Sequence, residues 1–284
     1  MRKLAVAAAL CFQIPARVHA QTAQEIVSRI EQQSGVASRE GTVDTFKAGN
    51  PSARVTGVAV TMMATLDVLQ RAVAKGHNLI ITHEPTFYSH RDLTETLEKE
   101  SDAVFAAKTK FIAAHGLIIW RFHDRPHAMK PDMIAAGTVA KVRWKRFQDA
   151  TNASLFNLPP TTLGALGRQM EERLGAGAVR LVGNPDAKIT RVGMTFGFPG
   201  FPGQRGVLQA GGLDALVMGE DHEWETIAYA ADAISAGLLK GVVVVGHTPS
   251  EQAGMEEVSR WLSTFLSGVR VEFLPAKDPF RRAR

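Results

Sequence analysis

The sequence contains little cysteine, since Cys11 is the one thiol among 284 residues. Aromatic residues make up only 7% of the chain, and two of them are tyrosines. A chain with one cysteine cannot form an internal disulfide or the clustered thiolate sites of zinc fingers and iron–sulfur proteins. Any transition-metal site in this protein must therefore take its ligands from histidine and carboxylate side chains.

Long apolar runs are also missing. The run from Leu4 to Phe12 is far shorter than the roughly 20 residues that a membrane-spanning helix needs. It follows Arg2 and Lys3, and the small residues that suit cleavage come just before Gln21. This pattern predicts a secretory signal peptide over residues 1–20. We therefore expect a secreted or periplasmic protein with no membrane anchor after signal removal.

The charge of the chain gives no strong case for nucleic-acid binding. Removal of Arg2, Lys3 and Arg17 with the leader would lower the formal net charge from +5 to +2. The apparent basicity thus belongs partly to the leader, and the rest of the chain shows no basic stripe.

Apolar strand-like runs alternate with helical segments along most of the chain, which is typical of an α/β fold. Helices are predicted at 23–34, 66–75, 95–115, 133–141, 163–174, 225–236 and 249–266, and strands at 55–62, 78–82, 117–122, 179–182, 189–196, 213–218, 242–245 and 269–274. We expect two lobes with mixed sheets and flanking helices. The first spans 21–140 and is completed by 241–284, and the second spans 141–240. The glycine- and proline-rich segment 197–203 is predicted to be a loop.

Three predicted strands end in the same way. The strand 78–82 runs into His83 and Glu84, the strand 117–122 runs into His123 and Asp124, and the strand 242–245 is followed by His247. Ligands bind at the carboxyl ends of strands in open α/β sheets. Imidazoles and carboxylates suit Zn, Mn or Fe, and two ions about 3.5–4 Å apart can share a hydroxide and activate it for hydrolysis.

Each element also has a simpler interpretation. His83 and Glu84 precede a proline and could form a polar strand exit, and Asp124 could mark a helix start. Glu251 fits a capping box with Thr248 as the N-cap. Histidines 77, 90 and 115 are expected on loops or at the surface. The three strand ends taken together favour a metal site.

Two motifs resemble the Nif-three-like (NGG-interacting factor three) family of dinuclear metal-centre proteins. Residues 82–87, THEPTF, look like its histidine-histidine-proline-x-phenylalanine signature. Residues 246–251, GHTPSE, are similar to its C-terminal motif, a glycine-histidine pair with a glutamate four residues later. Residues 218–220, MGE, resemble the step before its last long helix. The resemblance implies metals in a cleft between two lobes, in a protein that assembles into a ring-shaped hexamer.

The same resemblance implies the ligands. His83 and His247 would be imidazole ligands, and Glu251 a carboxylate ligand that bridges two divalent ions. The second histidine of the family's pair is Glu84 here, and this harder ligand favours Mn, Fe or Mg over Zn. The family's aspartate lies four residues after a histidine, where this chain has His127. We therefore predict Asp124 as the ligand, with His127 as an alternative or additional one. Glu220 is expected to lie behind the ligands or in the cleft.

These observations predict a dinuclear metal-binding protein, and the leading hypothesis is a metal-dependent hydrolase-like protein acting on a small phosphorylated or amide-containing molecule. The alternatives are a non-catalytic periplasmic metal-binding or scaffold protein and an interaction module with a vestigial site. No purine-specific pocket can be identified in the sequence.

Overall fold

A computed structural model describes residues 21–281, so the predicted signal peptide and Cys11 lie outside the described residues. In chain order the strands are β1 (Phe46–Ala48), β2 (Val58–Thr61), β3 (Leu79–Thr82), β4 (Ile118–Arg121), β5 (Leu155–Thr162), β6 (Arg180–Gly183), β7 (Lys188–Met194), β8 (Ala215–Met218), β9 (Gly241–Val244) and β10 (Val271–Phe273). The helices are α1 (Ala23–Ser34), α2 (Leu66–Ala74), α3 (Glu95–Lys99), α4 (Ala103–Ala114), α5 (Asp124–Ala128), α6 (Met133–Lys141), α7 (Leu163–Leu174), α8 (Gly200–Leu208), α9 (Ala228–Ser235) and α10 (His247–Ser263). The described chain also contains a 3-10 turn, Lys145–Phe147, and a π-helical turn, Glu223–Ile227.

The strands form two five-stranded sheets. The first has the order β1-β4-β3-β2-β10, in which β1 is antiparallel and the other neighbours are parallel. Its central strands β2, β3 and β4 are buried along their whole length, as expected for parallel strands covered on both faces. The mixed α/β fold with two sheets and flanking helices is thus confirmed.

The second sheet has the order β5-β7-β8-β9-β6, with parallel strands β7, β8 and β9 in the centre. Its two outer strands, β5 and β6, are antiparallel to their neighbours. Pro159 and Pro160 lie in the outer strand β5, where its register with β7 shifts between Asn157 and Thr161, as expected for proline at an edge or a bulge.

The last helix joins the two sheets. α10 begins just after β9 of the second sheet, packs against α6, β2 and β10, and leads into β10 of the first sheet. Its apolar residues Met255, Val258 and Leu262 are buried in the core of the first sheet. α10 crosses α6 very closely, since a Cβ added at Gly137 would lie 2.7 Å from the Cα of Gly254.

Several elements differ from the sequence prediction. The helix predicted over 95–115 is broken, because Ser101 has a positive φ and the Asp102 side chain accepts a hydrogen bond from the backbone of Phe105. The loop predicted at 197–203 ends early, since α8 begins at Gly200 and carries Pro202 in its first turn, where proline is tolerated. His77 is buried rather than exposed and lies 3.2 Å from the Glu272 carboxylate. Strands β1 and β5 were not predicted at all.

Strand pairing also moves the predicted lobe boundary. β9, placed with the first lobe by the division at residue 240, pairs with β8 and β6 in the second sheet. By strand pairing, the second lobe therefore continues to Val244, and the chain returns to the first lobe through α10. None of the helices within residues 21–281 has both the length and the apolar character of a membrane span.

Candidate metal centre

The carboxyl ends of parallel strands from both sheets face one cavity of about 630 Å³. Ligands collect at such strand ends because the chain leaves the sheet there into loops that carry polar side chains. On the first sheet, β3 leads to His83 and Glu84, and β4 leads to His123. On the second sheet, β8 leads to Glu220 and β9 leads to His247. The cavity therefore lies between the two sheets.

The ligands from the first lobe are held rigidly. The backbone N–H groups of His83 and Glu84 donate to the carbonyls of Thr61 and Met62, which continues the ladder between β2 and β3. His83 is completely buried, and Glu84 is 9% exposed. His127 lies in the short helix α5, one turn after His123.

Two further candidate ligands share one face of α10, the helix that follows β9 of the second sheet. His247 and Glu251 are four residues apart at the start of α10 and therefore project from the same side. The helix begins at His247, after Gly246 with a φ of 96°, and no side chain caps it. The capping-box interpretation of Glu251 is therefore wrong, and its carboxylate instead lies among the histidines.

Six side chains converge on one point. The Nε2 atom of His83 lies 3.2 Å from Nε2 of His127, 3.6 Å from Oε2 of Glu251 and 4.0 Å from Oε1 of Glu84. His247 Nε2 lies 3.3 Å from Glu84 Oε1 and 3.1 Å from Glu251 Oε2. His123 Nε2 lies 3.8 Å from Glu84 Oε1. Ligand atoms of two groups, His83 with His123 and His127, and His83 with Glu84 and Glu251, are near enough to hold a metal ion.

Each of the four histidines has its other ring nitrogen occupied. Nδ1 of His83 donates to the Phe122 carbonyl at 3.1 Å, which leaves the lone pair of the neutral ring on Nε2. The Nδ1 atoms of the other three face carboxylates: His123 faces Asp124 at 3.1 Å, His127 faces Asp132 at 2.9 Å, and His247 faces Glu220 at 3.3 Å. Such outer partners orient metal-binding histidines in proteins and increase their basicity.

The charges of the cluster are strongly coupled. Burial lowers the pKa of His83 well below its usual value, so this ring is neutral at physiological pH. Burial opposes a charge on His247 as well, but the carboxylates of Glu220, Glu251 and Glu84 outweigh it and raise the pKa of His247 to about 12. Burial likewise opposes the charge on Glu84, yet its hydrogen bond with His247 and the neighbouring histidines lower its pKa. A cation that binds here must displace a proton from His247.

A buried arginine supports Glu84 from behind. Arg121, at the end of β4, is completely buried and donates from Nε to the His83 carbonyl at 2.9 Å. Its Nη2 atom lies 3.6 Å from Glu84 Oε2 and has no hydrogen-bond partner. Arg121 therefore balances the negative charge of Glu84 while Oε1 of that residue faces the cluster.

A glycine makes room for the other carboxylate. A Cβ added at Gly197, whose φ is +51°, would lie 2.5 Å from Oε1 of Glu251. The Gly197 N–H donates to the Ser250 hydroxyl at 2.9 Å, which fixes this contact. The backbone of the segment after β7 thus packs directly on the Glu251 carboxylate.

The donor set fits divalent cations. Oε2 of Glu251 is buried and makes no hydrogen bond, although imidazole nitrogens surround it. The Nε2 atoms of His83 and His127 point at each other at 3.2 Å, which requires a proton or a cation between the two lone pairs. Nitrogen and carboxylate oxygen atoms at such spacing are typical ligands of Zn, Mn and Fe.

The structure brings together five of the six predicted site residues, His83, Glu84, His127, His247 and Glu251. Asp124 is the exception, because its Oδ2 atom is occupied by Arg39, Thr42 and the backbone N–H of Val43. Burial opposes its charge, but the hydrogen bonds from Thr42 and Arg39 lower the pKa of Asp124. Its Oδ1 atom lies 3.1 Å from Nδ1 of His123, and His123 is the cluster residue that was not predicted as a candidate ligand from the sequence. Glu220 lies behind His247.

Residues 22–123 match the model of the Duf34/NIF3 (NGG1p interacting factor 3) family. The matched segment contains β2, β3 and β4 and the site residues His83, Glu84 and His123. No curated protein matches the sequence.

Solved structures of similar fold cover almost the whole chain. A hypothetical protein from Staphylococcus aureus, SA1388, is 16% identical, with a TM-score of 0.70 over 92% of this chain and 99% of its own. A Bacillus cereus protein related to NIF3 is 14% identical, with a TM-score of 0.71 over 93% of this chain and 99% of its own. Reduced HcgD from Methanocaldococcus jannaschii is 15% identical, with a TM-score of 0.63 over 90% of this chain and 97% of its own.

The family model covers the first part of the first lobe, and at these identities the solved structures show the fold, which extends through both lobes. Together they confirm the resemblance to the Nif-three-like family. Over residues 22–123 the chain is similar to the Duf34/NIF3 family, and it shares its fold with a NIF3-related protein over both lobes.

Proposed function

We propose that the cluster holds two divalent metal ions and that the protein is a metal-dependent hydrolase of a small molecule. His83, Glu84, His123, His127, His247 and Glu251 would be the ligands. Six ligands from both lobes suffice for two ions with further positions left for water or substrate. Divalent ions in such a centre acidify bound water and polarise a carbonyl or phosphoryl oxygen.

The surrounding residues would prepare the site for this chemistry. Phe122, Asp124, Asp132 and Glu220 hold the four imidazoles with Nε2 toward the cluster. Glu220 is half exposed at the cavity, so its carboxylate is placed to exchange protons with solvent. Arg121 adds a positive charge 3.6 Å behind Glu84.

The observation that carries this proposal is the open cavity beside the ligands. Its volume of about 630 Å³ lies in the range of small-molecule binding sites. A structural or storage site is closed by protein ligands, whereas a catalytic site keeps a position open. Glu84, His123, His127, His247 and Glu251 all line the cavity, so a substrate could reach them.

The ligand set also bears on the metal. Glu84 alone favours the harder ions, but His123 restores a fourth imidazole to the set. Four imidazoles with two carboxylates suit Zn, Mn or Fe better than Mg, which prefers oxygen ligands.

We also propose that the protein is exported and that it assembles into a hexamer. The proposal of export is based on the signal-peptide pattern of residues 1–20, and the proposal of a hexamer is based on the family resemblance.

Elemental analysis of the purified protein tests metal binding. We expect close to two transition-metal ions per chain after reconstitution, and a loss of metal in His247→Ala. His115→Ala is the matched control, because His115 is an exposed histidine at the end of α4. A wild-type chain that retains no metal after reconstitution would refute the proposal.

A panel of esters, amides and phosphoesters tests hydrolysis with the Zn- and Mn-loaded protein. We expect turnover that His247→Ala abolishes and His115→Ala retains. Stoichiometric metal without turnover on any substrate of the panel would favour the non-catalytic metal-binding or scaffold protein instead.

A further inference from the structure

The cavity beside the ligands has largely apolar walls. Away from the ligands it is lined by Met63, Pro85, Tyr88, Phe196, Phe198 and Pro199. Tyr88 is 60% exposed and Phe198 is 39% exposed, so both present ring surface to a bound molecule. Exposed aromatic rings in a ligand cavity usually bind flat or apolar groups by stacking.

The charges in the cavity are acidic. Among the described residues that line it, none is lysine or arginine, whereas Glu84, Glu220 and Glu251 contribute carboxylates. The nearest guanidinium, that of Arg121, is completely buried behind Glu84. Two divalent ions would add four positive charges against the three of these carboxylates, so the metal-loaded cavity would be close to neutral. A phosphate-rich molecule would therefore find no cationic side chain to bind the charges that do not reach the metals.

A series of ring contacts extends from the aromatic wall outward. Phe198 contacts His222 with a ring-centroid distance of 5.0 Å. His222 in turn stacks on Trp224 at 4.6 Å, with only 9° between the ring planes. Within the described part of the chain, Trp224 is 75% exposed, so the ring face opposite His222 is open to solvent.

From these features we infer that the substrate is a neutral or cationic molecule with a planar ring. Its ring packs against the aromatic wall of the cavity at Tyr88 and Phe198, while an amide or ester carbonyl faces the metal centre. This inference rests on the proposed function and narrows its substrate class from phosphorylated or amide-containing molecules to neutral or cationic carbonyl compounds with an aromatic group.

Hydroxamates separate the ring from the metal-binding group. Acetohydroxamate and benzohydroxamate carry the same metal-binding group, and only the second has a ring. We expect benzohydroxamate to bind the Zn-loaded protein about 5- to 20-fold more tightly than acetohydroxamate, as measured by calorimetry. Phe198→Ala and Tyr88→Ala should each reduce this ratio. Phe280→Ala is the matched control, an exposed phenylalanine outside the cavity that should leave the ratio at its wild-type value.

Charge on the ring tests the second half of the inference. We expect 4-trimethylammonio-benzohydroxamate to bind at least as tightly as the parent compound and 4-phosphono-benzohydroxamate to bind several-fold more weakly. Tighter binding of the phosphonate would overturn the inferred charge preference.

The two proposals fail differently in this experiment. If acetohydroxamate does not bind the metal-loaded protein, the open metal centre of the proposed function is refuted. If acetohydroxamate binds but benzohydroxamate binds no more tightly, the ring subsite alone is refuted. In that case, the exposed rings would serve some other contact, such as one with a second protein.

Discussion

Glu84, a proposed ligand, has a buried guanidinium behind it in addition to the histidines of the cluster. Arg121 has no exposed surface and lies 3.6 Å from the Glu84 carboxylate. Removing one partner of a buried charged pair leaves the other uncompensated, which costs more than the pair itself contributes. Glu84 and Arg121 should therefore act as a unit in metal binding.

A double-mutant cycle measures this coupling. We expect Arg121→Met to weaken metal binding by about 10-fold, a usual effect for residues that orient metal ligands. In a Glu84→His background, the same substitution should have a much smaller effect, because no carboxylate then needs compensation. Metal affinity by competition with a chromophoric chelator gives the four values, and thermal melting shows that each variant folds. Additive effects would show that Arg121 acts on folding alone.

Gly197 fixes the position of Glu251. An alanine side chain would overlap the Glu251 carboxylate and would also be strained at a φ of +51°. We expect Gly197→Ala to reduce metal content by displacing this ligand. Gly206→Ala is the control, since a Cβ at Gly206 in α8 meets no atom within 4 Å and should stabilise the helix slightly. Full metal occupancy in Gly197→Ala would contradict the assignment of Glu251.

Sequence reasoning found most of the ligands because each follows a strand or shares a helix face with another ligand. The spacing of His247 and Glu251 determines their common direction once a helix is assumed. The choice between His123 and Asp124 could not be made this way. It depends on Arg39 and Thr42, which lie far away in the sequence and occupy the Asp124 carboxylate.

At the scale of elements, the closest contact in the first lobe is the crossing of α6 and α10. A Cβ at Gly137 would come within 2.7 Å of the Ala253 carbonyl oxygen, and one at Gly254 within 2.4 Å of the Ile134 Cα. The helices can therefore approach this closely only through glycine.

Substitution at this crossing should separate the helices. We expect Gly137→Ala to lower the free energy of unfolding by about 1–3 kcal/mol, the usual cost of overpacking. Urea denaturation measures the change, with Gly206→Ala as the control. If Gly137→Ala unfolds at the wild-type urea concentration, the helices are free to move apart.

Lys108 links α4 to the loop after Glu84. It is 4% exposed and donates to the Thr86 carbonyl at 2.6 Å, with Nζ 5.1 Å from the centre of the Tyr88 ring. Burial lowers the pKa of Lys108 to about 8, although Asp92 acts in the opposite direction. The charged form is therefore less favourable in the folded protein than in the unfolded chain.

The sign of the pH effect follows from this shift. Between pH 8 and the ordinary lysine value of 10.5, the unfolded chain holds a proton that the folded protein has lost, so stability contributed by Lys108 rises with pH. The free energy of unfolding of the wild type minus that of Lys108→Met should increase across this window by at most about 3 kcal/mol. Urea denaturation from pH 7.5 to 10.5 measures it. A pH-independent difference would place Lys108 in contact with water.

The alternation of strands and helices could be predicted from the sequence because the buried parallel strands are continuous apolar runs such as 79–82. The edge strands β1 and β5 could not be predicted. β1 has three half-buried residues, and β5 contains two prolines, so neither shows the usual strand pattern. Their pairing with β4 and β7 comes from the tertiary fold.

At the scale of the whole molecule, the proposed metal centre lies between the two sheets. Its ligands come from the first lobe and from the start of α10, which is continuous with β9 of the second sheet. Metal bound to the folded protein and absent from the unfolded chain stabilises by mass action, by about 2.7 kcal/mol at a free concentration 100 times the dissociation constant.

Metal removal should therefore lower the melting temperature. We expect a chelator to decrease the Tm of wild type and His115→Ala, but not that of His247→Ala, which has already lost a ligand. Differential scanning calorimetry with and without chelator checks this. An equal decrease in all three proteins would place the stabilising metal elsewhere.

The sequence could not predict which sheet β9 joins, because β9 has the same continuous apolar pattern as the other buried strands. Only the tertiary arrangement shows that His247 approaches the cluster from the second sheet rather than from a neighbouring strand of the first.

The chain leaves the first lobe after α6 and re-enters it through α10, and these two helices lie side by side. The second sheet thus belongs to a module that is inserted into the first lobe, and the chain enters and leaves this module next to α6 and α10. This module supplies Phe196, Phe198 and Glu220 to the cavity, whereas all six proposed ligands lie in the host lobe, two of them at the start of α10. An exchange of the module between relatives would change the cavity walls that a substrate meets and leave the proposed metal ligands in place.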